Sequence, residues 1–492
     1  MSRFCVVTFG CQMNQHDSLR IGELMREAGY AQTDTAAQAD LIVLNTCSVR
    51  AKAEQKLRSE LGRLVRLRRA NPGLRICVAG CVAEQEGERL LARSLGVDLV
   101  LGPDNIRKLP GLVAALERGG GPRVQTGFDL DAPQFLSARP ELGGSGPCAY
   151  VTVMKGCDER CAFCIVPRTR GPERYRPSGE VLEEVARLVD AGVREITLLG
   201  QTVNSYHDPS AVLPPAPGAG ESPWVHTPGV RTRADESEFP ALLRAVAARA
   251  PRLARLRYTA PHPRHLTASL IRAHQELSVL AAHVHLPVQS GSDVVLKRMV
   301  RRHTVAEYRE RAAALVDAVP GLVLTTDVIV GFPGESSEDF EQTLALVREM
   351  GFVGLFGFKY SPRPETPALR LGDDVSEREK SRRLSAVFEV SNAIRQAHLR
   401  GLVGTIQPVL VEGAGEQGGY TGRTGRNEIV HFPCADDPTG EILDVRIIEP
   451  YKNSLAGMPE DPARRPPRGD APEPLDDAKP QTGGPRRMLP VV

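Results

Sequence analysis

Cysteines fall at the ends of short apolar runs, and that placement constrains the fold of this 492-residue chain more than any other feature. The runs FCVVTF (4–9), LIVLNT (41–46), RICVAG (75–80) and VDLVL (97–101) read as buried strands, with amphipathic helices at 17–28 and 51–69 between them. Strand alternating with helix predicts a parallel sheet covered on its faces by helices. Cys11 follows the first run, Cys47 the second and Cys81 the third. The carboxyl ends of parallel strands open onto one crevice, so these three thiols reach one edge and predict a metal site. Cys5 and Cys77 lie within their strands and read as small buried hydrophobes.

A second group, Cys157, Cys161 and Cys164, follows the apolar stretch CAYVTVMKG with the spacing Cys-x3-Cys-x2-Cys. Thiolates are soft ligands that suit iron–sulfur clusters. Three protein ligands leave one iron of a cubane open, which implies chemistry and not only electron storage. Closed zinc sites, the alternative, want four ligands, and no His follows at finger spacing. Ten cysteines in a chain this long are too dilute for a disulfide scaffold. The opening MSRFCVVTFGC lacks a signal-peptide pattern and no apolar run reaches bilayer-spanning length, so a cytoplasmic protein with reduced thiols and no membrane contact is expected. Lys and Arg total 62 against 60 acids, so a polyanionic partner must be met by local patches.

From 102 to 146 the chain turns Pro- and Gly-rich, which predicts a linker, placed at 121–145 between a first domain (1–120) and a second (146–380). The second domain repeats the alternation, with strands expected at 148–154, 195–199, 255–259, 283–286, 323–330 and 354–359 and helices such as 179–191 and 337–350. That pattern predicts an open or closed βα barrel whose strand-end loops carry the chemistry. Residues 208–237, which hold Trp224, are rich in Pro, Gly and Ser and read as a surface insertion. A helical stretch near 376–400, with a connector at 381–397, precedes short strands and Gly turns at 398–459, read as a small all-β barrel. The tail, 460–492, is Pro-rich, charged and expected to be disordered.

Taken in order, the motifs TFGCQMNQHDS, NTCSVR, AGCVAEQ, KGCDERCAFCIVPRTRG, GQTVNSY, HLPVQSGSD, DVIVGFPGES and YSPRPETPA resemble the methylthiotransferase family of radical S-adenosylmethionine enzymes over nearly all of 1–459. GRTGRNEIVHF resembles a TRAM domain, an RNA-binding barrel. TFGCQMN and GQTVNSY look like the branch that acts on tRNA. The resemblance implies methylthiolation at C2 of N6-dimethylallyladenosine, at position 37 in the anticodon stem-loop. Sister branches modify threonylcarbamoyl-adenosine or an aspartate of a ribosomal protein. An iron–sulfur RNA-binding or electron-carrier protein is the alternative of another class.

The resemblance further implies two [4Fe–4S] clusters, a radical-generating one on Cys157, Cys161 and Cys164 and an auxiliary one on Cys11, Cys47 and Cys81. It implies S-adenosylmethionine as both radical source and methyl donor, and an external electron donor. Gln289, Ser290 and Gly291 would bind polar groups of that cofactor, while Gly331 and Gly334 would let the backbone approach its adenine. For RNA, one candidate is the helix at 51–69, where Lys52, Lys56, Arg63 and Arg66 form a stripe opposite Leu57, Leu61 and Leu64. The second is the run Lys297, Arg298, Arg301 and Arg302; the third, in an otherwise acidic barrel, is Arg423 and Arg426. Cys148 reads as a core residue, His262, His265, His283 and His285 as ordinary histidines, and the working expectation is a monomer.

Overall fold

The computed structural model describes residues 2–48, 51–92, 95–142, 146–210, 212–213, 237–415 and 418–465. Most of the insertion expected at 208–237, Trp224 included, lies outside the described residues, as does the tail from 466.

The first unit is a six-stranded, all-parallel sheet in the order β2-β1-β3-β4-β5-β6. Its strands are β1 (Arg3–Thr8), β2 (Ala31–Gln32), β3 (Leu41–Thr46), β4 (Arg75–Gly80), β5 (Leu99–Leu101) and β6 (Arg123–Gln125). Helices α1 (Gln12–Glu27), α2 (Ala51–Ala70), α3 (Cys81–Glu86) and α4 (Leu109–Glu117) connect them. The central strands read as unbroken apolar runs because both faces are covered. Ile42, Leu44, Ile76 and Val78 pack with Leu57, Leu61 and Leu64 of α2. Their neighbours Leu41, Val43, Cys77 and Ala79 pack on the opposite side with Ile21 and Met25 of α1 and Val113 of α4. Cys5 and Cys77 are buried among these side chains, as small hydrophobes should be.

Two expectations need correction here. The stretch 121–145 opens with β6, which extends the sheet beside β5, and the Pro/Gly-rich run before it carries α4. Its prolines and glycines punctuate short elements: Pro110 stands in the first turn of α4, where its missing N–H costs nothing. Helix α1 begins at Gln12, five residues before the position expected from its apolar period. The period misled because Asn14, His16, Asp17, Arg20 and Glu23 are polar yet buried.

The second unit is a partial βα barrel. Strands β7 (Cys148–Thr152), β10 (Glu195–Leu199) and β11 (Arg255–Tyr258) form one parallel arc. The other arc is β12 (His283–His285), β13 (Val323–Val330) and β14 (Gly354–Lys359). A bridge between Leu256 and Leu280 joins the two arcs. A short antiparallel pair, β8 (Met154–Lys155) and β9 (Arg174–Tyr175), flanks the loop that carries the second cysteine group. Helix α5 (Val166–Thr169) follows the cysteine loop, and α6 (Ser178–Asp190), α7 (Phe239–Arg249), α8 (Ala268–Glu276), α9 (Asp293–Arg298), α10 (Val305–Ala318) and α11 (Ser337–Met350) alternate with the strands around one apolar core. Cys148 stands at the start of β7 and is exposed, contrary to the core placement expected of it.

Helix α12 (Glu377–Gly401) leads to a closed five-stranded barrel of β15 (Ile406–Ala414), β16 (Tyr420–Arg423), β17 (Ile429–Phe432), β18 (Ile442–Pro450) and β19 (Leu455–Pro459). The barrel is pinned to β11: Arg255 donates to the carbonyls of Arg423 (2.5 Å) and Pro408 (2.7 Å), and Arg257 to that of Thr424 (3.0 Å). Among the described residues no helix is long and apolar enough to cross a membrane.

Candidate metal centres

The first centre is assembled by the sheet. Cys11 caps the N-terminus of α1, Cys47 follows β3 directly, and Cys81 opens α3 directly after β4. Gly80 makes the approach possible: with φ at +92°, its missing Cβ would lie 2.4 Å from the carbonyl oxygen of Thr46. A buried polar web then fixes the loops. Asn14 donates from Nδ2 to Asn45 Oδ1 (3.0 Å) and to the carbonyl of Thr46 (2.9 Å). Asn45 donates back to the carbonyl of Asn14 (2.8 Å) and to Ser18 Oγ (2.9 Å). Cys47 and Cys81 are buried and Cys11 is half-buried. A hydrogen bond from Cys47 brings the Cys11 thiol down to about 6, against the upward push of burial and with help from Arg170. The Cys11 thiol is thereby biased toward thiolate, the form that binds metal.

Arg170 comes from the other domain. Its Nε donates to Cys81 Sγ at 3.4 Å and its Nη2 to Asp17 Oδ2 at 2.8 Å. Burial pushes the Asp17 carboxyl up, but Arg170 and His16 outweigh it and hold the group at about 2.

The second centre is a single loop. The backbone N–H of Cys157 donates to the carbonyl of Gly171 (3.1 Å), which closes the loop on itself. Gly156 has φ at +76°, and a Cβ there would lie 1.9 Å from the carbonyl oxygen of Pro172. Cys157 Sγ meets Thr202 Oγ1 at 3.0 Å, and Arg301 Nη1 donates to Cys161 Sγ at 3.4 Å. Ala162 is strapped at both ends, its N–H to the carbonyl of Met299 and its carbonyl to the N–H of Ala368. Burial pushes the Cys157 thiol up and, together with the neighbouring Cys161, the Cys164 thiol to about 12.

Each donor set is three thiols, soft ligands of the kind an iron–sulfur cluster takes. Among the described residues no three His, Cys, Asp or Glu side chains converge as one ion requires. A zinc ion would draw every sulfur to about 2.3 Å from one point. Thiols that each take a different iron of one cluster need not converge so closely. Each centre also offers a guanidinium to sulfur, as a thiolate-ligated cluster uses.

The remaining candidates part company. Gln289 holds φ at +74° and is bridged to β13 through the Asp327 carbonyl and the Ile329 N–H. Ser290 Oγ meets Thr343 Oγ1 (3.3 Å), and Gly291 donates its N–H to the same hydroxyl (3.0 Å). Gly331 donates to Glu335 Oε2 (2.5 Å), a carboxylate also gripped by Arg383 (2.8 Å). Gly334 lies under the Arg298 guanidinium, 2.5 Å from where its Cβ would stand. These five residues shape two neighbouring loops at the strand ends.

The cationic candidates divide between buried and exposed side chains. Arg301 turns inward to Cys161 and the Pro287 carbonyl (3.1 Å), so it serves the cysteine loop. Arg298 donates to the Pro333 carbonyl (2.9 Å), and Arg302 lies 3.8 Å from Glu159. Arg423 is buried with Glu412 at 2.9 Å, and Arg426 is held by Glu428 (3.3 Å) and Gln407 (3.0 Å). A small barrel docked on β11 satisfies its arginines internally. On α2, Leu57, Leu61 and Leu64 are buried as expected, and Lys56 and Arg66 are exposed. Arg63 is exposed too but paired with Glu60 at 2.6 Å, while the Lys52 side chain lies outside the described residues. Lys297 is exposed.

Sequence reasoning missed Asn14, Asn45, Thr202, Asp17 and Arg170. Asn14, Asp17, Asn45 and Arg170 lie within the motifs that carry the cysteines, and Thr202 lies within GQTVNSY. Nothing in the sequence pairs Arg170 with Cys81, 89 residues away.

Three family models match the chain: the uncharacterized protein family UPF0004 over residues 3–102, the radical SAM superfamily over 151–347 and the TRAM domain over 400–459. A tRNA-2-methylthio-N(6)-dimethylallyladenosine synthase of Sorangium cellulosum is 57 % identical over 100 % of this chain and 99 % of its own. One of Geobacter sulfurreducens is 44 % identical over 92 % and 96 %. Among solved structures, the radical S-adenosylmethionine methyltransferase TsrM of Kitasatospora setae overlays with a TM-score of 0.48 at 15 % identity over 75 % of both chains.

Proposed function

The chain belongs to the tRNA-2-methylthio-N(6)-dimethylallyladenosine synthase family, and from that membership we propose that it methylthiolates N6-dimethylallyladenosine at position 37 of tRNA, with S-adenosylmethionine as radical source and methyl donor. The observation that carries the reading is the pair of cysteine triads, one in a strand-end loop of the barrel and one at the strand ends of the adjoining sheet. Cys157, Cys161 and Cys164 would hold one [4Fe–4S] cluster, and Cys11, Cys47 and Cys81 would hold another. When bound, the first supplies the electron that cleaves S-adenosylmethionine and the second presents the sulfur to be inserted.

The chain's own residues do the positioning. Thr202 and Arg301 orient Cys157 and Cys161. The loops at 289–291 and 331–335 wall the cofactor space, with Gln289, Gly331 and Gly334 in positive-φ conformations that turn the backbone at strand ends. The exposed cations Lys56, Arg63, Arg66, Lys297, Arg298 and Arg302 meet the phosphates of the anticodon stem-loop, and the third-domain barrel contributes shape more than charge. The enzyme works as a cytoplasmic monomer fed by an external electron donor.

The test is anaerobic. Protein reconstituted with iron and sulfide receives S-adenosylmethionine, a reductant and tRNA bearing N6-dimethylallyladenosine, and digested nucleosides are weighed by mass spectrometry. The 2-methylthio product is expected from wild type and absent from Cys157→Ala. If 5′-deoxyadenosine forms while the nucleoside stays unmodified, the substrate assignment is wrong.

A further inference from the structure

One side chain links the two triads. Arg170 follows Cys164 by six residues, at the C-terminal cap of α5, yet it reaches across the domain boundary to Cys81 and Asp17. Arg170, Asp17 and Cys81 are each 4 % exposed. The carbonyl of the next residue, Gly171, accepts from the N–H of Cys157. A single residue step thus separates a contact to one triad from a contact to the other, and α3, which Cys81 opens, packs on α5.

The arrangement is unfinished as it stands. Arg170 Nη1 is buried with no hydrogen-bond partner. A buried guanidinium with idle N–H groups costs stability unless an anion completes its shell. A cubane cluster on three thiolates is a net anion, and hydrogen bonds to its sulfurs and nearby positive charge raise its reduction potential.

We propose that Arg170 is the positioning residue of the auxiliary triad, lent to it by the barrel domain. Held by Asp17, it donates to the Cys81 thiolate, balances the charge of the cluster and sets its reduction potential above that of an unaided site. Docking of the barrel domain thereby completes the auxiliary centre. The inference rests on the reading that Cys11, Cys47 and Cys81 hold an iron–sulfur cluster.

The test uses the full chain with Cys157, Cys161 and Cys164 all changed to Ala, so that only the auxiliary triad can load. Iron content, the electron paramagnetic resonance signal of the reduced state and the potential from a redox titration are then compared with and without Arg170→Gln and Arg170→Lys. Arg170→Gln is expected to move the potential negative, with Arg170→Lys returning part of the shift. If Arg170→Gln fails to load or fold, a negative shift in Arg170→Lys still supports the role. Iron-loaded variants that share the parent's potential overturn it. A parent that takes up no iron overturns the underlying reading of the triad instead.

Discussion

The two cysteine triads solve the same problem by opposite means. One gathers its thiols within eight residues, Cys157 to Cys164, on a loop closed by its own backbone. The other draws Cys11, Cys47 and Cys81 from beyond three separate strand ends, and only the register of β1, β3 and β4 brings them together. The local triad depends on its loop; the distributed triad depends on the sheet and on the asparagine web beneath it. Damage to the first unit should therefore empty one centre and spare the other.

The sharpest way to break this contrast is Asn45→Ala. Asn45 is fully buried and makes three hydrogen bonds, so its loss leaves unpaired groups at a cost of about 1–3 kcal/mol, all of it at the distributed triad. Methylthiolation should fall below detection while S-adenosylmethionine cleavage persists, measured as 5′-deoxyadenosine released. Equal loss of both would show that the triads are not independent.

Thr202→Val probes the other side. It removes the hydroxyl at 3.0 Å from Cys157 Sγ and should slow S-adenosylmethionine cleavage roughly 10- to 100-fold. Auxiliary iron, counted in a background without the local triad, should not change. A smaller effect is expected from Arg423→Gln, because this arginine is buried against Glu412 in the docked barrel. Melting should drop, by about 1–3 kcal/mol, with tRNA affinity unmoved once folded protein is compared. A loss of affinity with stability intact would restore Arg423 as a phosphate contact. Smallest of all, Arg63→Glu with Arg66→Glu should weaken tRNA binding roughly tenfold or less at low salt, since Glu60 already offsets Arg63. Both clusters and cofactor cleavage should be untouched.

How much of this could be read in advance follows from the same contrast. Strands buried on both faces announce themselves as apolar runs, and β3 and β4 fall where the sequence places them. The local triad is legible from spacing alone. The distributed triad is legible only through the rule that parallel strands share a crevice. What failed was what long-range polar contacts decide, between domains or within one. The start of α1 was hidden because Asp17, Arg20 and Glu23 are buried against polar partners: Asp17 meets Arg170, Arg20 faces Glu184 at 3.9 Å, and Glu23 accepts from the N–H of Arg139. Arg301 and Arg423 looked like free charge, yet one serves a sulfur and the other a half-buried carboxylate. A charged side chain in sequence carries no mark of whether its partner is water, phosphate or protein.

The most direct test of the division of labour is Cys81→Ala assayed for both products in one anaerobic reaction. The account predicts 5′-deoxyadenosine at a rate near wild type and no 2-methylthio nucleoside in the tRNA. Methylthiolated tRNA from this variant, or the loss of 5′-deoxyadenosine along with it, would contradict the assignment of separate roles to the two triads.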